Sequence, residues 1–172
     1  MPAARRVRIA TLRDVPVLAR QRVGMFLTMG IRIPAAERAR IERGTRAFLR
    51  RAIPAGEFVG WVAEVDGAPV SGGGLLLRRL MPRPGFPRGF LEAHVLSVFT
   101  EDGHRRQGHA RAVMEAIVRW CRARRVARVT LHASRVGRPL YLSMGFAVRE
   151  ELVLYLRRRS LRRRHGNRAA TS

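Results

Sequence analysis

The sequence has no lysine, one cysteine and no long hydrophobic run. Cys121, being alone, cannot form an internal disulfide, which suits a reducing compartment. No stretch of about 18 apolar residues is present to span a membrane, and Met1 to Arg8 is not followed by the apolar segment of a secretory signal. No Cys and His spacing typical of a metal site occurs. We therefore expect a soluble cytoplasmic protein with no metal and no membrane partner.

Acidic residues are scarce as well. The chain has 12 of them against 35 basic residues, all arginine, which gives a formal net charge of +23. This excess favours binding of anions, although arginine in place of lysine is also typical of GC-rich codon usage. No basic strand carries the interleaved aromatic residues of RNA-binding sheets.

The length of 172 residues and the apolar fraction of 47% fit one globular domain. We place it at residues 1–156. Residues 157–172 are rich in arginine and poor in apolar side chains, so they are predicted to be a disordered tail.

Hydrophobic periodicity predicts a mixed α/β (α+β) fold, with a central sheet flanked by helices. Strands are predicted over 7–10, 58–65, 68–77, 92–100, 128–133 and 148–156, and helices over 15–29, 35–52, 110–124 and a short segment through Tyr141. Asp14 is expected to cap the first helix, and Asp66-Gly67 to turn a hairpin. Gly72 to Gly74 favours a bulge, and Arg78 to Gly89 a loop. The strand, helix and strand after residue 92 predict a parallel crossover.

A glycine-containing turn joins the strand ending at Thr100 to the next helix. It consists of Arg105, Arg106, Gln107, Gly108, His109 and Ala110. Unpaired backbone N–H groups and the helix dipole stabilise an anionic diphosphate at such a position. The turn alone is equally compatible with a purely structural connection.

Two motifs give the chain a resemblance to the GNAT N-acetyltransferase superfamily. Arg105, Gly108 and Ala110 match the family's pyrophosphate motif, and Leu140, Tyr141, Gly145 and Phe146 match its Leu-Tyr-x-x-x-Gly-Phe signature. The resemblance implies a single GNAT-like domain with splayed central strands. It also implies an acyltransferase that uses acetyl-coenzyme A (acetyl-CoA) as co-substrate.

The resemblance also implies roles for particular residues. The pantetheine arm of the co-substrate is expected to pair with the backbone of Val98, Phe99 and Thr100, where an N–H stabilises the oxyanion. Tyr141 aligns with the family tyrosine that protonates the departing thiolate, with packing at a helix boundary as its alternative. Ser134 stands where many relatives have a cofactor-binding asparagine, but its side chain is shorter.

The general base is left open by the sequence. His94 is favoured, because its side chain shares a strand face with that of Glu92 on the strand leading to the cofactor, and several relatives carry a histidine or glutamate nearby. A histidine satisfied within the sheet is the alternative. Glu101 and Asp102 are further candidates, and His132 on the neighbouring strand is a poorer one.

The function predicted is acetyl transfer to a primary amine by direct attack in a ternary complex. Cys121 is expected to be a buried thiol rather than an acyl carrier. The acceptor, a small molecule or a peptide amine, is expected to contact the first two helices and the 78–89 loop, whose arginines favour an anionic group. The alternative is an idle scaffold that binds nucleic acid or another anionic partner. The tail predicts weak, nonspecific nucleic-acid binding, and family members often dimerise, so a homodimer is open.

Overall fold

The computed structural model describes residues 5–154. Five strands form one sheet in chain order. The strands are β1 Arg5–Ile9, β2 Phe58–Val65, β3 Ala68–Leu80, β4 Phe90–Thr100 and β5 Arg128–Leu131, and the helices are α1 Val15–Thr28, α2 Ala35–Ala52, α3 His109–Ala123 and α4 Arg138–Ser143. Neighbours from β1 to β4 are antiparallel, whereas β5 runs parallel to β4. The predicted mixed sheet and the parallel crossover through α3 are confirmed.

Helices cover both faces of the sheet. On one face α3 buries Val113, Met114 and Ile117 in a cluster that includes Trp61 and Leu75. The other face carries a second cluster, which joins α1 and α2 to β2 and includes Val15, Leu18, Leu49, Phe58 and Val62. The amphipathic patterns of the helices therefore each meet an apolar sheet face, as the periodicity predicted.

The β2–β3 hairpin turns at Asp66 and Gly67, which have φ angles of 49° and 79°. Positive φ at both central residues is the geometry that twists with the flanking strands, and glycine adopts it without steric cost. The predicted two-residue turn is confirmed.

Asp14 occupies the N-cap position of α1, as predicted, but its side chain makes no capping hydrogen bond to that helix. Thr11 caps a short 3₁₀ turn, and the Asp14 carboxylate accepts a 2.7 Å hydrogen bond from the Thr11 backbone N–H. The same carboxylate receives two hydrogen bonds from Arg8, which also binds Glu64 on β2. The Asp14 side chain therefore ties β1 and β2 to the turn before α1.

Two segments near the sheet edges also differ from prediction. β3 continues to Leu80, so the loop expected over 78–89 is shorter. The strand predicted over 148–156 is absent from its described part, because residues 148–154 are irregular and Leu152 is fully exposed. Alternation alone predicted this strand, but no strand of the sheet pairs with it. No helix within residues 5–154 is long and apolar enough to cross a membrane.

Candidate active site

The predicted anion-binding turn leads directly into α3. Gly108 precedes the helix with a φ of 81°, and Arg106 also has a positive φ of 63°. A Cβ at position 108 would lie 3.4 Å from Nη1 of Arg5 on β1. The first N–H groups of α3 and at least one guanidinium thus converge on a spot with no side chain, which is a suitable place for a diphosphate.

Side chains hold this turn in place. Arg105 donates to Thr28 Oγ1 at 2.9 Å and to the Thr100 carbonyl at 3.2 Å. Gln107 donates to the Gly103 carbonyl at 3.2 Å. Because these contacts tie the turn to α1 and to the end of β4, the backbone is already ordered before any ligand binds.

His109, the first residue of α3, is buried, and its Nδ1 has no hydrogen-bond partner in the described part of the chain. Its pKa is lowered by burial and by the nearby positive charges of Arg5 and His104. This nitrogen is almost inaccessible, so the close packing at the start of α3 leaves one polar atom without a partner.

A β-bulge interrupts β4 opposite the glycine run, whereas the sequence predicted a bulge in the glycine-containing strand, β3, itself. Gly72 pairs with Phe99 and Gly74 with Leu96, so Gly73 faces both Ser97 and Val98. The extra residue lies on β4, where Ser97 has a φ of 58°. A Cβ at position 74 would lie 2.2 Å from the Phe58 ring, so close packing requires glycine there.

The bulge reverses which face of the sheet the later β4 residues point to. Val98 packs with the α3 cluster. Phe99 lies on the α1 side, where a Cβ on Gly24 would come within 2.8 Å of its ring. β4 pairs with β5 only from Glu92 to Val95, so residues 96–100 have no ladder partner on that side. The ladder between the two strands therefore ends before β4 does and leaves the last residues of β4 unpaired on that side, which is compatible with the splayed strands that the family resemblance implied.

Tyr141 on α4 packs against Phe146 and the α3 cluster. Burial raises the pKa of its hydroxyl, so the phenol is protonated at neutral pH. A Cβ at Gly137 would contact both the Tyr141 ring and Ser134 Oγ, which places these residues together. Ser134 Oγ accepts a 3.1 Å hydrogen bond from the Gly137 N–H, and the hydroxyl proton remains available.

His94 belongs to a group of polar residues at the β4–β5 junction. Its Nδ1 lies 3.0 Å from Thr130 Oγ1, and its ring is 5.0 Å from that of His132. His132 Nε2 is hydrogen-bonded to Glu151. The pKa of His94 is lowered by burial, by His132 and by Arg78, so its imidazole is neutral at pH 7.

The other base candidates have strong partners. Glu92 is buried and bound by both Arg78 and Arg128. Glu101 contacts Arg20 and Gln21, and Asp102 pairs with Arg105 at 2.5 Å. A substrate amine would have to compete with these arginines for the carboxylate oxygens. Of the candidates, the two histidines, His94 and His132, are not held by an arginine side chain in these contacts, and His94 is the more buried of the two.

A cavity of about 420 Å³ lies between α1, α2 and the sheet. Its lining residues are Leu18, Arg22, Ile41, Gly44, Thr45, Phe48, Leu49, Phe58, Gly73, Leu76, Leu96 and Ser97. The helices expected to shape the acceptor site do line it, whereas the 78–89 loop supplies no lining residue. Leu76 pairs with His94 across the sheet, so the cavity adjoins the histidine.

Cys121 lies in the α3 cluster and is buried. Burial raises the pKa of its thiol to about 11. A buried thiol that stays protonated is a poor nucleophile. In residues 5–154, no group of three or more His, Cys, Asp or Glu side chains is arranged to hold a metal ion.

Sequence reasoning missed Arg22, Ser97 and Glu151. Arg22 was one of many arginines, and its contact with Ser97 joins residues 75 positions apart. Ser97 gave no signal of its own, although the glycines opposite it did. Glu151 lay in a predicted strand, so its contact with His132 was not foreseen.

Comparison with known proteins agrees with this geometry. Residues 34–153 match the acetyltransferase (GNAT) domain family. A GCN5-related N-acetyltransferase from Ralstonia eutropha JMP134 is 28% identical and superposes with a TM-score of 0.80 over 89% of this chain and 99% of its own. No curated protein sequence gave a match.

Two more distant structures share the fold. A predicted acetyltransferase from Clostridium acetobutylicum, solved with acetyl-CoA, is 20% identical with a TM-score of 0.78, covering 88% of this chain and 96% of its own. Glucosamine-6-phosphate N-acetyltransferase from Arabidopsis thaliana is 15% identical with a TM-score of 0.66, covering 90% and 99%. The domain match spans most of the chain, and the mixed sheet, the unpaired end of β4 and the glycine turn before α3 accompany it. The chain belongs to the GNAT acetyltransferase family and is an acyltransferase.

Proposed function

We propose that this protein transfers the acetyl group of acetyl-CoA directly to a primary amine within a ternary complex. The observation that carries the proposal is the open edge of β4 beyond Val95, which lies beside the anion-binding turn at Gly108. One end of this arrangement suits a diphosphate, and the other offers unpaired backbone groups to an extended amide-containing arm.

Residues on both elements fit the co-substrate. The diphosphate would be held by the turn, whose members are Arg105, Arg106, Gln107, Gly108, His109 and Ala110. The positive φ of Gly108 and the guanidinium of Arg5 beside it support this assignment. Val98, Phe99 and Thr100 would pair through their backbone with the pantetheine arm, and the Ser134 hydroxyl retains a proton to donate. When bound, acetyl-CoA supplies an activated thioester.

His94 is the general base of this proposal. An amine with a pKa of about 10.4 is protonated at neutral pH and must lose a proton before it can attack. The neutral imidazole accepts that proton at Nε2, because Nδ1 faces Thr130. His132 and Glu151 extend the chain of polar groups to the surface, where the proton reaches solvent.

Tyr141 is the general acid. Its hydroxyl stays protonated because burial raises its pKa. Tyr141 lies on α4, next to Gly137 and Ser134 from the segment that precedes the helix. A positioned phenol can donate its proton to the departing sulfur and so prevent the reverse attack. Direct transfer is favoured over a covalent intermediate, since Cys121 is buried and protonated.

The acceptor is a small amine with an anionic group. The cavity contains a guanidinium and no acidic residue, so polycations are unsuited to it. By its name, the Arabidopsis relative acts on an amine that also carries a phosphate. The nucleic-acid alternative depended on residues 157–172, which lie outside the described residues, and it stays a prediction, as does a homodimer.

Titration calorimetry with acetyl-CoA at low and high salt tests the proposal, followed by an assay of thiol release with a panel of amines. We expect one site per chain that persists at high salt and is weakened when dephospho-CoA replaces CoA. Binding that disappears at high salt would indicate only nonspecific attraction of a polyanion by a protein of charge +23 and would contradict the proposal.

A further inference from the structure

The cavity between α1, α2 and the sheet contains one charged side chain, Arg22, among mainly apolar neighbours. Leu18, Phe48, Leu49, Phe58 and Leu76 supply most of the apolar wall. A cavity of this kind recognises a ligand with an apolar body and orients it through one polar contact.

Arg22 lacks the partner that other partly buried arginines of this protein have. Among the described residues, Arg8 and Arg46 are also half-buried, and each binds a carboxylate, Arg8 those of Asp14 and Glu64 and Arg46 that of Glu42. Within residues 5–154, Arg22 donates from Nη1 to the neutral hydroxyl of Ser97 at 2.7 Å, and its guanidinium lies 5.2 Å from the centre of the Phe26 ring, so neither contact is with an anion. A guanidinium has five N–H donors and remains charged in proteins. A half-buried cation without a carboxylate is therefore suited to an anionic ligand group.

The position of Arg22 limits where that anion lies relative to the reacting amine. Ser97 is the bulge residue, and the open edge of β4 begins beside it. An anion bound to Arg22 is therefore close to the place where the acetyl group is proposed to arrive. The amine and the anion must then be separated by few bonds, while the rest of the acceptor extends towards Phe48 and Phe58.

We propose that the acceptor is an α-amino acid with a large apolar side chain. Its carboxylate pairs with Arg22, its side chain fills the cavity, and its α-amine faces the open edge of β4. In the reaction the amine nitrogen forms a bond to the acetyl carbon, the carbon–sulfur bond of the thioester breaks, and the amine proton leaves through the general base. This inference rests on the acetyl transfer proposed above.

The test compares four amines by their kcat/KM in the thiol-release assay. L-phenylalanine has both the carboxylate and the large apolar side chain. 2-Phenylethylamine lacks the carboxylate, and L-alanine lacks the large side chain. Spermidine is a polycation. We expect L-phenylalanine to be the best of the four and 2-phenylethylamine to be about 10- to 100-fold poorer, the value of a hydrogen-bonded charge pair.

Three variants locate the effect. Arg22→Gln should lower kcat/KM for L-phenylalanine at least about 10-fold more than for 2-phenylethylamine, because the second lacks the group that Arg22 binds. Arg22→Lys keeps the positive charge but lacks the two parallel N–H donors of a guanidinium. Its preference for L-phenylalanine over 2-phenylethylamine should lie between that of the unchanged protein and that of Arg22→Gln. Arg40→Gln removes the same charge from an exposed site on α2 and should leave the preference unchanged. Thermal melts confirm that each variant folds.

Equal use of L-phenylalanine and 2-phenylethylamine, a preference for spermidine, or an equal loss of both substrates in Arg22→Gln would each overturn the inference. If no amine is acetylated, binding is measured instead: N-acetyl-L-phenylalanine should bind the CoA-saturated protein at least about 10-fold more tightly than N-acetyl-2-phenylethylamine. Equal affinity for the two compounds contradicts the proposal that the acceptor is an α-amino acid. Failure of the protein to bind acetyl-CoA at all contradicts the proposed acetyl transfer itself.

Discussion

Arg22 on α1 donates a 2.7 Å hydrogen bond from Nη1 to Oγ of Ser97, the residue at which β4 bulges. The contact joins the wall of the cavity to the point where β4 loses its partner on the β5 side. The proposed acceptor pocket and the proposed co-substrate channel therefore meet at one pair of side chains. Predictions for the site depend on this proximity.

Gly108→Glu should abolish binding of acetyl-CoA. The glycine has a φ of 81°, and a glutamate there adds both backbone strain and a negative charge at the anion site. The substitution removes most of the charge-assisted hydrogen bonds to the diphosphate. We therefore expect the affinity for acetyl-CoA, measured by calorimetry, to fall by at least about 100-fold. Gly103→Glu is the control, because a Cβ there meets open space. Similar losses in both variants would contradict a specific cradle at Gly108.

The pH profile reports on His94. Burial, His132 and Arg78 lower its pKa, whereas Glu92 and Glu151 act in the opposite direction. Because a base must be neutral, the acidic limb of kcat/KM should lie below the ordinary histidine value of about 6.5. His94→Gln should lower kcat by about 100-fold, typical of general-base loss. An unchanged kcat would show that His94 only packs within the sheet.

Thr130→Val tests how His94 is oriented. The change removes the hydroxyl 3.0 Å from Nδ1 and keeps the side-chain shape. We expect kcat to fall by several-fold while the KM for acetyl-CoA stays constant, since a misdirected imidazole affects proton transfer and leaves co-substrate binding intact. A shift of the acidic limb should accompany the loss. A change in KM alone would point to a structural effect.

Tyr141→Phe separates catalysis from packing. Phenylalanine keeps the ring contact with Phe146 and removes the protonated hydroxyl. As a general acid, Tyr141 should contribute about 100-fold to kcat, with little change in thermal stability. If the tyrosine serves only to fill the helix boundary, kcat will equal that of the unchanged protein.

Cys121→Ala should leave turnover intact. The thiol is buried in the α3 cluster, and its pKa is raised to about 11. Removing it should cost about 1 kcal/mol of stability through a small cavity. Thiol release without acceptor amine is the decisive measurement, since a burst of one equivalent that the variant loses would indicate an acyl-enzyme.

Stability at acidic pH reports on Asp14. Hydrogen bonds from Arg8 lower the pKa of this buried carboxyl, so its contribution is full above the ordinary value of about 3.9 and is lost as pH falls through the lowered value. Asp14→Ala should reduce the free energy of unfolding at pH 7 by about 2 kcal/mol. The free energy of unfolding of this variant, measured by urea titration, should also decrease less as the pH is lowered.

Glu42→Ala is the matched control, because its ion pair with Arg46 spans one turn of α2. We expect a loss of no more than about 0.5 kcal/mol. Equal losses in the two variants would contradict a special role for the Arg8, Asp14 and Glu64 network.

Local signals in the sequence determined much of this protein. Helix and strand positions, the hairpin at Asp66-Gly67 and the turn at Gly108 all depend on residues close together in the chain, whose conformational preferences are readable directly. Two motifs were enough to identify the family, which the domain match over residues 34–153 confirmed.

Tertiary structure alone decided the contacts between distant residues. Arg22 meets Ser97 across 75 positions, and Glu151 reaches His132 from a segment in which the alternating pattern wrongly predicted a strand. A pattern of apolar residues indicates which face of a strand can be buried. Whether the strand forms also depends on a neighbouring strand with a free edge, which only the folded sheet supplies. In the same way, Arg22 is one of 35 basic residues in the sequence. It becomes a candidate anion-binding residue because the fold half-buries it beside a neutral hydroxyl instead of a carboxylate.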